Sequence, residues 1–407
     1  MLHFRGASNI KQPIYALTKT SMPLIDEVNP YIAGDEKYWL AFSRVGGIGV
    51  VRLRRLFDYF GSLKLAWEAR SGDFMQAGLE PKLIERVLNF RPVFDPDQEM
   101  ERLALQQIEL ITLGSPGYPE RLGQIDNPPP VLYLKGSLLP QDNLALAVVG
   151  TRQATNYGRT ATSNICTELA EQGVTIVSGL AKGIDTIAHQ AALQAGGRTL
   201  AVLGSGVDVI YPSENRTLAA RITDPTAQNG AIISEYAPGT QPEAANFPPR
   251  NRIVSGLALG VFVVESNIKG GALITVDFAV EQGRDVFGLP GSIFNSTSAG
   301  VNRLIRQGSA RLVTSAEEIM EELRPGGMFD AQDRQTHLEL TQTGDTEVER
   351  QLLKILRQAG EPLHIDEVCQ EARLPANDVS GLLVMLELKG LVVGMGGMRY
   401  GLTRLGQ

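Results

Sequence analysis

Four short segments, three of them punctuated by glycine, carry the residue types that hold an anion. Val149-Gly150-Thr151-Arg152 offers backbone donors and one guanidinium. In Ser178-Gly179-Leu180-Ala181-Lys182-Gly183-Ile184-Asp185 the glycines permit close backbone approach and Lys182 adds a point charge. Phe247-Pro248-Pro249-Arg250-Asn251-Arg252 sets two arginines and an aromatic ring on a stiff Pro-Pro segment, and Lys269-Gly270-Gly271-Ala272-Leu273-Ile274-Thr275 places a lysine and glycines just before a helix. Amides combined with cations match phosphate. The ring of Phe247 next to Arg250 and Arg252 adds a stacking platform beside a charged track, which suits a single-stranded nucleic acid better than a mononucleotide.

Each of these residues also has a structural reading. Arg250 and Arg252 fit solvated loop positions or salt bridges as well as a phosphate track. Asp185 reads as the cap of the following helix, a contribution of ~1 kcal/mol, and His189 as a packed histidine. Thr275 and Asn302 either line a pocket or satisfy backbone groups. Enzyme signatures are missing: there is no G-x-x-x-x-G-K-[ST], no G-x-S-x-G and no H-E-x-x-H, and Gly204-Ser205-Gly206 opens a dinucleotide fingerprint that Val209 breaks. His3, His189, His337 and His364 form no ligand cluster, and Cys166 and Cys369 lack metal-ligand spacing. The expectation is a binding protein with no catalytic residue, no metal and no cofactor.

The chain that must position these segments has 407 residues, 43% of them hydrophobic and 20% charged, enough apolar surface for two or three cores. Its formal charge of −7 excludes a polycation that coats nucleic acid or anionic lipid indiscriminately, so a nucleic-acid site must be a local patch. The longest apolar stretch, Leu257 to Val264, is far short of the roughly 20 residues of a membrane span, and the cysteine usage fits a reducing cytoplasm.

Residues 1–35 show no periodicity and read as a flexible extension. Residues 36–105 have apolar positions at helical spacing around Gly46-Gly47-Ile48-Gly49. With Arg52, Arg54 and Arg55 this resembles a helix-hairpin-helix in a SAM-like domain, a turn that either packs two helices or presents amides to a DNA phosphate. Over residues 106–323 near-continuous apolar strands (144–149, 174–177, 199–203, 231–234, 260–264, 285–289) alternate with helices. That pattern predicts a Rossmann-like α/β domain with a mostly parallel sheet flanked by helices. Residues 324–345 read as a linker, and 346–407 as helix, helix, helix, hairpin, the order of a winged helix. This last unit has eight acids against seven bases, so its third helix is a poor groove reader and better suited to a protein contact.

The order and spacing of Gly150-Thr151-Arg152, Ser178 to Asp185 with Ala188-His189, Ala201 to Asp208 with Tyr211-Pro212 and Asn215, Ser234-Glu235-Tyr236 and Phe247 to Arg252 resemble the DNA-processing protein A (DprA/Smf) family. The likeness covers about residues 36 to 320, including Gly117-Tyr118-Pro119 and Asn127 to Tyr133, and extends more weakly into the C-terminal unit. It implies a single-stranded-DNA-binding mediator, not an enzyme, that protects incoming DNA in natural transformation and helps load the RecA recombinase. It also implies a homodimer formed through the Rossmann-like domain. The implied DNA-binding set is Gly150, Arg152, Gly179, Lys182, Gly183, Phe247, Arg250, Asn251, Arg252, Lys269 and Thr275, with Gly270 where the family often has serine. The competing class is a nucleotide-processing enzyme related to phosphoribohydrolases on a Rossmann-like core, whose P-G-G-x-G-T-x-x-E signature is missing; a third is a pure interaction scaffold.

Overall fold

The computed structural model describes residues 31–323, 347–360, 362–389 and 391–403, and the chain divides into two compact units between Leu323 and Arg324. Most of the expected extension, residues 1–30, and the whole expected linker lie outside the described residues.

The first unit opens with α1 (Glu36–Ser43), α2 (Val50–Phe60), α3 (Leu63–Glu68), α4 (Ser71–Gln76), α5 (Pro81–Phe90) and α6 (Pro96–Leu105). Their apolar stripes bury Trp39, Phe42, Leu53, Leu56 and Phe74 in one core that also holds Leu180, Ala201, Leu203 and Ile232 of the following sheet. The helical segment therefore covers part of a sheet face. Its glycine turn joins α1 to α2, and arginines take the turn carbonyls: Arg52 donates to Gly47 O and Arg86 to Gly46 O, both at 3.0 Å. Arg52 also pairs with Glu80, and Arg55 donates to Gly78 O. These are the contacts of a turn that packs two helices.

The sheet follows as β1 (Glu109–Thr112), α7 (Glu120–Gly123), β2 (Val131–Gly136), β3 (Ala145–Val149), α8 (Asn156–Glu171), β4 (Thr175–Ser178), α9 (Ile184–Gln194), β5 (Thr199–Val202), α10 (Arg216–Ile222) and β6 (Gly230–Ser234). It continues as α11 (Phe247–Gly256), β7 (Gly260–Val263), α12 (Ala272–Glu281), β8 (Asp285–Gly288), α13 (Ala299–Arg306), β9 (Arg311–Leu312) and α14 (Ala316–Leu323). Strand order is β1-β2-β6-β5-β4-β3-β7-β8-β9. The strands from β3 to β9 run parallel, β3 to β8 as the sequence predicts, while β9 and the antiparallel edge of β1 and β2 are not predicted. Alternate side chains serve opposite cores: Ala201 and Ile232 face the helical segment, while Leu200, Val202 and Ile233 join Ile253, Val254, Val276 and Val301 beneath α11 to α13. The chain winds outward from β3 through β4, β5 and β6, then returns to build β7, β8 and β9 on the other side. The reversal between β3 and β7 opens a crevice at the carboxyl ends of the strands, where doubly wound folds bind ligands.

At the opposite ends of the strands, Arg198 donates from Nε and Nη2 to the two carboxylate oxygens of Asp142 at 2.7 and 2.8 Å and also to Ser137 O at 2.7 Å. Asp142 also accepts from Thr175 Oγ1 and Leu139 N. Both charged side chains are buried.

The second unit has helices Glu347–Ala359, Ile365–Ala372 and Ala376–Leu388, then strands Val392–Gly394 and Arg399–Leu402 paired antiparallel, with the short strand Leu363–His364 added to the pair. Leu352, Leu356, Val368, Val379, Leu383 and Leu386 fill its core. The expected winged-helix order is present.

Because Asp142→Ala leaves a buried guanidinium without its carboxylate, it is expected to destabilise the protein by roughly 3–5 kcal/mol, read as a lower urea midpoint. The folded fraction should keep the crevice unchanged.

Candidate nucleic-acid interface

The carboxyl ends of β3, β4 and β7 and the first turns of α11 and α12 enclose a cleft of about 760 Å³. Gly150, Arg152, Gly179, Phe247, Arg250, Asn251 and Thr275 all line it, so seven of the residues named from sequence meet. Lys182, Gly183, Arg252 and Lys269 lie outside the lining.

The segment from Phe247 to Arg252 is not a stiff loop. It is the first turn of α11, with proline in the opening positions, where a missing N–H costs nothing. The helix sends residues two apart to opposite sides, and this separates the two arginines. Arg250 turns inward: Nη1 donates to Gly179 O at 2.9 Å and to Val202 O, and Nε donates to Asn251 Oδ1 at 3.2 Å. It ties α11 across the ends of β4 and β5. Gly179 leaves it room, since a Cβ there would stand 2.6 Å from Nη2. Burial pulls the guanidinium down to about 10, with Asp185 opposing that shift, so it stays charged at neutral pH. Arg252 points the other way, into a separate pocket of about 550 Å³, and grips Glu235 with Nη2 to Oε2 at 2.7 Å and Nη1 to Oε1 at 3.0 Å. Of the readings the sequence leaves open, Arg252 takes the salt bridge, and Arg250 is neither a solvated loop residue nor an open phosphate track but a buried brace.

The backbone amides are also committed. Asp185 does not cap α9, whose N-cap is Gly183; its Oδ2 accepts from Gly179 N at 3.1 Å and Ala181 N at 3.3 Å, folding the turn onto itself. Burial raises the Asp185 carboxyl, with Arg250 opposing. Gly183 has φ +82°, and a Cβ would lie 2.7 Å from Arg152 O, so the turn requires glycine. At the start of α8 a residue that sequence reasoning passed over plays the same part. The carboxylate of Glu265, 1% exposed just beyond β7, accepts from Thr155 N at 2.9 Å and Thr155 Oγ1 at 2.5 Å. Two amides of the expected cradle after β4, and one at the start of α8, are thus taken by the protein's own carboxylates.

What faces the solvent is a cation on an aromatic wall. The exposed Arg152 guanidinium sits 5.9 Å from the centroid of the half-buried Phe247 ring, and the Tyr211 ring lies 5.9 Å from Phe247, tilted by 42°. Tyr211 is 46% exposed, which makes it the more open stacking surface. The sequence carried a signal for it, a tyrosine shortly after the glycine turn of β5, yet singled out only Phe247. Lys182 and Lys269 flank the cleft on exposed turns, Lys182 paired with the equally exposed Glu214. Asn302 holds Gly291 from both sides, donating to its carbonyl at 2.8 Å and accepting from its N–H at 3.2 Å, whereas Thr275 lines the cleft.

His189 lies on the buried face of α9 against β5. Its Nδ1 lies 2.6 Å from Thr199 Oγ1, which itself donates to Ile176 O, so Nδ1 carries the proton. Burial, reinforced by Arg250, pulls the imidazole down to about 3. Two outcomes follow. Arg250→Ala, which strands two carbonyls and Asp185, should lower stability by about 3 kcal/mol or more, so any loss of ligand affinity must be read on refolded, thermally characterised protein. For His189, the folded value lies below the unfolded 6.5, so its contribution is complete above pH ~6.5 and declines toward pH ~3 by at most ~1.4 kcal/mol per unit. His189→Gln should flatten that slope in urea titrations between about pH 4 and 7.

No helix among the described residues is long and apolar enough to cross a membrane. The family model for DNA recombination-mediator protein A matches residues 109–324, and a DprA winged helix domain model matches 337–398. Protein Smf of Synechocystis sp. is 38% identical over 396 residues, spanning 90% of this chain and 98% of its own length. DNA processing protein DprA of Bacillus subtilis is 44% identical over 219 residues, 54% of this chain and 72% of that protein. The X-ray structure of DprA from Streptococcus pneumoniae superposes with a TM-score of 0.61 at 36% identity, covering 71% of this chain and 98% of that one. A doubly wound sheet with its crevice motifs in register, continued by a winged helix and matched along nearly the full length of a relative, leaves one assignment: the chain belongs to the DNA recombination-mediator protein A family.

Proposed function

We propose that this protein binds single-stranded DNA at the crevice and acts there without a bond-making step, protecting the strand and delivering it, as a homodimer, to a RecA recombinase in natural transformation. The observation that carries the reading is the exposed Arg152 guanidinium held on Phe247 beside the open face of Tyr211, at the topological switch point of the sheet. A cation on one ring with a second, tilted ring beside it offers one phosphate and one base their partners side by side. Lys269, exposed on the β7 turn, meets the next phosphate, while Lys182 on the β4 turn, held by Glu214, borders the site. Arg250 and Asn251 act from beneath by fixing α11, and Gly150, Gly179 and Gly183 by letting the strand ends pack tightly. Arg252 belongs to this set only as a brace through Glu235. The near-balanced charge of the winged helix supports a protein contact there.

Asp185 and Glu265 occupy amides that a nucleotide phosphate would need in a Rossmann site, which favours a polymer held at the rim over a mononucleotide buried in the turns. Fluorescence anisotropy with labelled oligothymidine tests this. Arg152→Ala should weaken binding about tenfold and reduce the log–log salt slope by about 0.7 with an unchanged melting temperature. Tyr211→Ala should cost roughly 1–3 kcal/mol of binding. An unaltered salt slope in Arg152→Ala overturns the assignment. Release of a free base from nucleoside monophosphates would instead establish the phosphoribohydrolase-type reading.

A further inference from the structure

The rim of the sheet is electrostatically lopsided. On the β4, β5 and β6 side the turns carry Asp185, Asp208, Glu214, Glu235 and Glu243. On the other side, the stretches between Asp142 and Glu168, between Glu265 and Asp277 and between Asp285 and Glu317 contain no acidic residue, although the whole chain is acidic. At the carboxyl ends they contribute Arg152, Arg159 and Lys269, whereas Arg303 and Arg306 lie in the last turn of α13, toward the other ends of the strands, and Arg311 pairs with Glu322. Glu265, the acid at their junction, is buried among hydroxyls and an N–H of α8.

Within this acid-free sector the loop after β8 presents Ile293 and Phe294 at 83% and 93% exposure. The loop is braced. Asn302 clasps Gly291, Tyr157 donates to Pro290 O at 2.7 Å, and Ser298 N and Asn295 N close successive turns on Asn295 O and Ser292 O. Gly300 N donates to Ser266 O at 2.8 Å, which joins this loop to the β7 turn that lines the cleft through Ser266, Asn267 and Gly271. A fixed loop that holds a phenylalanine almost wholly in water forgoes the burial such a side chain ordinarily gains. β8 lies two strands from β3, roughly 10 Å along the rim.

We infer that Phe294 is a second stacking platform, and that a single strand gripped at Arg152 leaves the cleft across the β7 and β8 turns, over Phe294, rather than toward the acidic side. The inference rests on the proposed single-stranded DNA binding and adds a direction and a subsite to it. Continuity with the cleft and the missing acids name the occupant as an anionic polymer; the ring supplies what its bases need.

The test uses the full chain and two oligothymidines, one of roughly three nucleotides and one of about twelve. Phe294→Ala, at a solvent-exposed site, should weaken the longer oligonucleotide about fivefold or more and leave the shorter unaffected. Phe294→Trp supplies a direct reporter, because the chain's two tryptophans, Trp39 and Trp67, are buried. Its emission should be quenched by the longer oligonucleotide alone. If the unaltered protein binds the longer oligonucleotide but Phe294→Ala matches it, or if the indole emission of the Phe294→Trp variant is unmoved at saturation, the inference is overturned while the cleft assignment stands. A loss of affinity accompanied by altered sedimentation of Phe294→Ala also overturns it, because the ring then serves self-association. Should the unaltered protein bind neither oligonucleotide, the underlying reading fails first.

Discussion

A single buried guanidinium sets the geometry of the crevice. Arg250 reaches from the first turn of α11 to carbonyls at the ends of β4 and β5, satisfying polar groups that the sheet cannot pair and burying its charge near Asp185. Because α11 is pinned there, Phe247, three residues earlier and one turn back, projects over the cleft mouth and carries Arg152 on its ring. The reactive-looking cation at the floor and the exposed one at the rim therefore have different work. One fixes a helix, the other is free to meet a phosphate.

The two internal carboxylates extend the same logic. A Rossmann turn with vacant amides is a general anion seat, able to take any phosphate of suitable size. Asp185 takes two amides of the turn after β4 and Glu265 one before α8, which narrows those seats from within and braces both turns. On the proposed reading, specificity then shifts outward, from backbone donors suited to an isolated phosphate to side chains suited to a phosphate beside a base. The glycines that read in sequence as a phosphate cradle are required for a different reason: Gly179 clears space for Arg250 and Gly183 adopts a left-handed conformation against Arg152 O.

How much of this was legible in the sequence follows from what each pattern encodes. The strands from β3 to β8 are contiguous apolar runs, fully buried because helices cover both faces, so composition alone locates them. β1 and β2 escape because Leu110-Ile111 is short and Val131 to Leu134 follows three prolines that read as a loop. The same Pro bias misdirects the reading of α11: Pro248-Pro249 suits a rigid turn and a helix start equally, and only packing decides. Arg250 and Arg252 are indistinguishable by type and neighbourhood, and their fates diverge with the rotation of a helix about its axis, which no local pattern states. Tyr211 and Glu265 are brought to the site by strand order, from far along the chain.

The proposed function requires a chain of formal charge −7 to present a surface to a polyanion. At physiological salt, charges more than about 8 Å apart are largely screened, so net charge governs little of what happens at a contact. Local composition governs it. The acids are withheld from three stretches that topology gathers at β3, β7 and β8, while the turns at β4, β5 and β6 keep theirs, several spent on internal partners: Asp185 on amides, Glu235 on Arg252, Glu214 on Lys182. Pairing alone does not remove an acid from the path of a phosphate; placement does. A sheet whose winding order reverses at β3 separates its later strands from its earlier ones in space, and so converts a segregation along the chain into one along the rim.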